Sequence, residues 1–200
     1  MTRTLIVMAK APALGRGKTR LARGAGRAAA LRINRALQAH TVRVASSRRW
    51  TTLLAVTPES ACAARLPDVW PDRIVRMKQG GGDLGARLSR VLARVRGHVA
   101  VIGTDCPAVE ARDIAAAFRA LGRAPVAVGP ATDGGFWILA ARRAGDVAHA
   151  FSGVRWSSVH TLDDLEERLR VRVVRLRTLS DIDTIDDWRA FRARTRQIRL

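Results

Sequence analysis

HVAVIGTDCP, residues 98–107, is the stretch from which the rest of the chain can be read. Val99, Ala100, Val101 and Ile102 form an unbroken apolar run with β-branched members, which suits a strand buried on both faces of a parallel sheet. Gly103 and Pro107 punctuate the run, so Thr104, Asp105 and Cys106 are expected on the turn at the strand's carboxyl end. Open α/β sheets bind their ligands at that edge. A carboxylate held there is placed to hold Mg²⁺ or Mn²⁺ against a phosphate. The plainer role for Asp105 is to cap the helix that follows.

Working outward, apolar runs predict further strands at 4–9 (TLIVMA), 51–57 (TTLLAVT), 73–78, 125–128, 136–141 (FWILAA) and 171–176. Helical spacing predicts a long helix over 24–47, with Leu31, Leu37 and Val44 on one face. A helix capped by Asp83 runs to about 96, others cover 111–121 and 157–169, and a last one opens at Asp183 or Thr184. A short helix is expected over 59–66. The alternation predicts one α/β domain over residues 1–200 with a mostly parallel sheet.

Composition narrows the function. The 200 residues contain 36 Lys or Arg against 17 Asp or Glu, a formal charge of +19. The cations are spread along the whole chain, there is no tyrosine, and aromatics are 4% of residues, which leaves little for stacking on bases. Nucleic acid is therefore not the expected partner, and a small anionic substrate or acceptor suits such a field better. Cys62 and Cys106 offer no disulfide framework, and His40, His98, His149 and His160 form no zinc-binding spacing with them. The opening MTRTLIVMAKAPALG lacks the long apolar core of a secretory signal, so a cytoplasmic protein without a membrane span is expected. The three lysines, Lys10, Lys18 and Lys78, each lie in or beside a glycine-containing loop. Where arginine serves elsewhere, a retained lysine is a compact point charge suited to a phosphate.

Four loops carry the candidate chemistry. KAPALGRGKTR (10–20) ends like a P-loop, but Pro12 stands where the first glycine belongs and lacks the N–H of a phosphate cradle. What remains is a turn bearing Lys10, Gly15, Arg16, Lys18 and Arg20, read as a phosphate site or as a solvated basic loop. The glycines of QGGGDLG (79–85) would let a nucleoside approach the main chain, with Arg87 pointing back; a turn capped by Asp83 explains them equally. Asp133, Gly134 and Gly135 follow a strand as Asp105 does, so both carboxylates face one edge of the sheet, as metal-assisted phosphate chemistry requires. In DIDTIDD (181–187), Asp183 is a second candidate metal ligand, while Thr184 and Asp187 resemble a capping box. Trp156 and Ser157 could line an acceptor pocket or serve as core and cap. Cys106, with no histidine nearby in sequence, reads as core.

MAKAPALGRGKTRL, GDLGARL, VIGTDCP, GPATDGGFWIL, RWSS and DIDTIDD, taken in order, resemble a bacterial family labelled glycosyltransferase-like or nucleotide-diphospho-sugar transferase. That family is similar to the guanylyltransferases of the molybdenum and deazaflavin cofactors. The resemblance implies a single three-layer α/β/α domain with a mixed, mainly parallel sheet, the GT-A (SpsA-like Rossmann) fold. It implies that Lys18 and Arg20 meet nucleotide phosphates, and that Gly82, Asp83 and Leu84 lie beside the nucleoside. Asp105 would hold the divalent metal, and Asp133 to Gly135 would face the acceptor. The chain departs from the family pattern at Ala13 and Gly17 in the first loop and at Ile185 in the last motif. The expected activity is metal-dependent transfer of a nucleotidyl or glycosyl group from a nucleoside triphosphate or nucleotide sugar to a small acceptor. A binding module for anions or RNA on the same fold is the alternative.

Overall fold

The structure, a computed structural model, describes residues 1–197. Its elements follow the chain in order: β1 (Arg3–Lys10), α1 (Thr19–Ala25), α2 (Arg27–Ala45), β2 (Thr51–Thr57), β3 (Val75–Lys78), α3 (Leu84–Leu92), β4 (His98–Ile102), α4 (Ala111–Ala120), β5 (Val126–Pro130), β6 (Phe136–Ala141), α5 (Gly145–Ala148), α6 (Thr161–Arg168), β7 (Val173–Arg175) and α7 (Ile185–Gln197). The seven strands form one sheet in the order β3-β2-β1-β4-β6-β5-β7, in which β6 alone runs antiparallel to its neighbours. The strand read as central is flanked by β1 on one side and β6 on the other, with Ile6 opposite Val101 and Leu139 opposite Val101.

Alternation along each strand feeds two cores. Leu5, Val7, Leu54, Ala100 and Ile102 pack with Val42, Ile114 and Phe118 of α2 and α4. Ile6, Ala55, Val99, Val101 and Leu139 pack on the other face with Leu88, Val91, Leu162 and Leu165 of α3 and α6. Helices therefore cover both faces, the three-layer arrangement expected. Each Leu, Ile, Val or Phe side chain so withdrawn from water is worth about 1.5–3 kcal/mol, so truncating the strand interiors is costly.

Several expectations shift. The long helix expected over 24–47 is α2, which starts only at Arg27 because Gly26 breaks the run at φ 79, and a separate helix, α1, begins at Thr19 within the expected loop. The helix expected from residue 157 begins only at Thr161, because Ser157 sits at φ 58 and the Thr161 hydroxyl accepts from the Ser158 amide at 3.1 Å. The short helix expected over 59–66 is a 3₁₀ helix and ends earlier, at Ala63. Among the described residues no helix is long and apolar enough to cross a membrane.

Candidate active site

Six strands end at one edge of the sheet and β6 begins there, so the loops after β1, β3, β4, β5 and β7 crowd together. The segment after β7 binds across that edge. Leu179 donates to the Pro130 carbonyl (3.1 Å), Thr132 donates to the Leu179 carbonyl (3.0 Å), and Ile182 donates to the Asp105 carbonyl (2.9 Å). Those bonds carry Asp181 and Asp183 from the far edge of the sheet to the end of β4, beside Asp105 and Asp133.

Lys18 is the hub. It caps α1 in the left-handed region at φ 48, and its carbonyl accepts from the Ala22 amide at 2.9 Å. Its ammonium lies 3.0 Å from Asp105 Oδ1 and 3.1 Å from Asp183 Oδ1, and donates to the Ile182 carbonyl at 2.5 Å. The Lys18 side chain is 9% exposed, while Asp105 is 46% exposed and keeps a face toward solvent. Burial alone would lower the Lys18 pKa, but Asp105 and Asp183 outweigh it and raise it. Arg20 reaches the other oxygen of Asp183 at 2.6 Å. Asp187, by contrast, is absorbed by the helix start: its carboxylate accepts from the Thr184 amide (2.7 Å) and hydroxyl (2.8 Å), the expected capping box.

Lys10, Lys18, Arg20, Leu84, Arg87 and Thr104 meet with Asp105 and Asp183 around one hollow of about 440 Å³. Gln38 and Gln79 hold its floor, donating to the carbonyls of Lys10 (2.8 Å) and Ala9 (3.1 Å) at the end of β1. Gly15 and Arg16 open onto an adjoining hollow behind Lys18, on the side of α1 and α2. The loop there is a narrow hairpin, closed by the Arg16 amide on the Ala13 carbonyl at 3.1 Å, rather than a P-loop cradle. The glycine loop is latched, not loose: Arg90 donates to the carbonyls of Gln79 (2.7 Å) and Gly81 (3.0 Å), and Arg87 to that of Gly82 (3.0 Å). Asp83 is spent as the α3 cap, accepting from the Ala86 amide at 2.8 Å, and lies outside the lining of the hollow. Lys78 also lies outside it, paired with Glu59 at 3.3 Å.

A second cleft of about 540 Å³ continues past Asp105, lined by Asp133, Gly135, Phe136, Ser157, Val159 and Asp181 among others. Asp133 accepts from the Gly135 amide at 2.8 Å. Two expected acceptor residues do not line this cleft. Trp156 packs edge-on between Phe136 and Phe151, 6.5 and 6.0 Å between ring centres, with its indole over Gly85. Gly134, at φ 86, is a packing glycine: a Cβ there would lie 2.1 Å from the Val159 carbonyl oxygen. Gly134→Ala is therefore expected to cost about 3 kcal/mol, read as a fall in thermal midpoint of about 6–12 °C. Cys106 is buried in the core at the base of this cleft, and burial pushes its thiol pKa up, away from the reactive thiolate form.

Asp181, part of the DIDT motif but not singled out from sequence, is the perturbed acid of the cleft. Burial, then the nearby Asp133 charge, raises its pKa from 3.8 to about 6. A folded pKa above the unfolded one means the ionised group opposes folding at pH above 6, and that penalty fades as pH falls through 6 toward 3.8. Asp181→Asn is expected to stabilise the fold at pH 8 by about 1 kcal/mol, allowing for the screening of a half-exposed group. The gain should vanish in melts at pH 4.

Among the described residues, no three His, Cys, Asp or Glu side chains group to hold a metal by themselves. Asp105 and Asp183 nevertheless converge on one cation position, the Lys18 ammonium. Two carboxylates are the donor set Mg²⁺ or Mn²⁺ takes when phosphates and waters complete its shell.

The sheet order, its single reversed strand and the loops gathered at this edge define the fold shared by nucleotide-diphospho-sugar transferases and nucleotidyltransferases. The chain belongs to the family described as uncharacterized protein conserved in bacteria (DUF2064), which matches residues 39–158. Its fold is similar to that of a protein from Desulfovibrio desulfuricans G20 assigned as a nucleotide-diphospho-sugar transferase, with a TM-score of 0.83 and 24% identity over 92% of this chain and 84% of that one. CMP:2-keto-3-deoxy-manno-octonic acid synthetase, solved with CTP, aligns with a TM-score of 0.61 and 15% identity over 98% of this chain and 99% of that one. Rv0371c from Mycobacterium tuberculosis H37Rv, solved with manganese, aligns with a TM-score of 0.59 and 18% identity over 95% and 97%. At these identities the likeness is one of fold. None of the curated proteins matches the chain.

Proposed function

We propose that the chain is a divalent-metal-dependent transferase that binds a nucleotide in the 440 Å³ hollow and moves its nucleotidyl group to a small acceptor in the adjoining cleft. The observation that carries this reading is the convergence of Asp105 and Asp183 on Lys18, beside a hollow that also holds Lys10, Arg20 and Arg87. Four cations match the charge of a nucleoside triphosphate better than that of a diphosphate already covered by metal.

In this reading Asp105 and Asp183 hold Mg²⁺ or Mn²⁺, which when bound withdraws charge from the phosphate oxygens. Lys18, displaced from the two carboxylates by the metal, would join Lys10 and Arg20 on the phosphates, with Gly15 and Arg16 behind them, and Arg87 and Leu84 would flank the nucleoside near Gly82 and Asp83. Thr104 closes the floor. Asp133, Gly135 and Ser157 face the acceptor. An acceptor atom bonds to the α-phosphorus as the bond to pyrophosphate breaks; pyrophosphate leaves and the acceptor proton passes to water. In the competing version, supported by the name borne by the Desulfovibrio protein, an acceptor oxygen bonds to the anomeric carbon of a nucleotide sugar and a nucleoside diphosphate leaves.

Thermal melts with nucleoside triphosphates and nucleotide sugars, each with and without Mn²⁺, test the reading. A triphosphate at 100 times its Kd should stabilise the protein by about 2.7 kcal/mol, and only with the metal. Stabilisation by a nucleotide sugar alone transfers the case to glycosyl transfer. No shift with either overturns it.

A further inference from the structure

We infer that the acceptor is a polyhydroxy or amino-polyol compound without negative charge, rather than a phosphate or carboxylate. This rests on the transferase reading and names the substrate class of its second cleft. The cleft of about 540 Å³ combines two kinds of wall. One is apolar: Phe136 and Trp137 line it, and Leu84 and Val159 stand at 39% and 67% exposure. Such a surface suits the C–H face of a ring or polyol. The other wall carries Asp105 and Asp183 at its metal-binding edge and, beyond them, Asp133 and Asp181, with Ser157 also on the lining.

Those carboxylates are left open. Among the described residues no basic side chain pairs with Asp133 or Asp181, in a chain where 36 basic residues face 17 acidic ones. Asp133 uses one oxygen on the Gly135 amide, which leaves the other for a ligand. Arg20 is the single cation on the cleft lining among the described residues, and in the transferase reading it is committed to the donor phosphates and to Asp183. Ionised carboxylates accept hydrogen bonds and give none, so they match hydroxyl and ammonium donors and repel phosphate. The expectation of an anionic acceptor, drawn from the overall charge of +19, is thus reversed locally. Four cations line the first hollow, whereas among the described residues Arg20 alone lines the second cleft.

The test uses probes matched except for charge: glycerol against glycerol 3-phosphate, and glucose and glucosamine against glucose 6-phosphate. Each is titrated by calorimetry into the protein carrying Mn²⁺ and the best nucleotide of the thermal screen. The neutral or amino probe of at least one set should bind ten times more tightly than its phosphorylated counterpart. The Asp133→Asn, Asp181→Asn double variant should narrow that ratio about tenfold. Phosphorylated probes binding as well or better, or no probe of any set binding, overturns the inference. Nucleotide binding is read in the same cell: its presence with preferred phosphorylated probes removes this inference alone, while its absence removes the transferase reading and this inference with it.

Discussion

Asp105→Asn is expected to lower turnover about a thousand-fold and to abolish metal-dependent nucleotide binding, with the fold intact. The amide keeps the shape of the carboxylate, and the backbone bond from Ile182 to the Asp105 carbonyl (2.9 Å) does not depend on the side chain. Asp105 is 46% exposed, so its loss costs little packing. The thermal midpoint should stay within about 3 °C of wild type, while saturation with Mn²⁺ and nucleotide no longer raises it. Wild-type turnover in this variant would remove Asp105 from the chemistry.

Lys18→Met should be costlier to the fold. The methionine fills much of the same space but leaves the carboxylates of Asp105 and Asp183 and the Ile182 carbonyl without the cation they share. Breaking a buried, hydrogen-bonded ion pair costs about 3–5 kcal/mol; with one carboxylate half-exposed, about 2 kcal/mol is expected here, or some 4–8 °C in thermal midpoint. The pKa of Lys18 is raised in the fold, so this stabilisation is present at neutral pH and is lost as pH rises through the folded value. The melting difference between wild type and variant should therefore shrink only as pH rises beyond the ordinary lysine value of 10.5. Turnover should fall roughly a hundred-fold, since a phosphate cation is lost. Adding Asp183→Asn to Lys18→Met should recover part of the stability but none of the activity.

Much of the fold was legible in the chain. The apolar runs at 51–57 and 136–141 coincide with β2 and β6 because strands buried on both faces are continuous in sequence. The same continuity hides direction: nothing in FWILAA distinguishes an antiparallel insertion between β4 and β5 from another parallel strand. The break at Gly26 is hidden because alanine and arginine surround it and favour helix on both sides. Around the crevice, Asp105, Asp183 and Lys18 were legible as charged residues on turns, but their meeting was not. It depends on the pairing of β7 with β5, which carries the last loop back across the sheet edge. Asp181 was hidden for the same reason, since its raised pKa comes from burial and from Asp133, distant in sequence. The acidic lining of the second cleft ran against the basic composition of the chain, which describes the surface as a whole and not one wall of one cleft.

A crystal of the protein grown with Mn²⁺ and a non-hydrolysable nucleoside triphosphate, measured at a wavelength where manganese scatters anomalously, tests the central claim most directly. The anomalous peak should lie between Asp105 and Asp183 with the phosphates beside Lys18 and Arg20. A peak elsewhere, or a nucleotide bound away from the edge where β1 and β4 end, would contradict it.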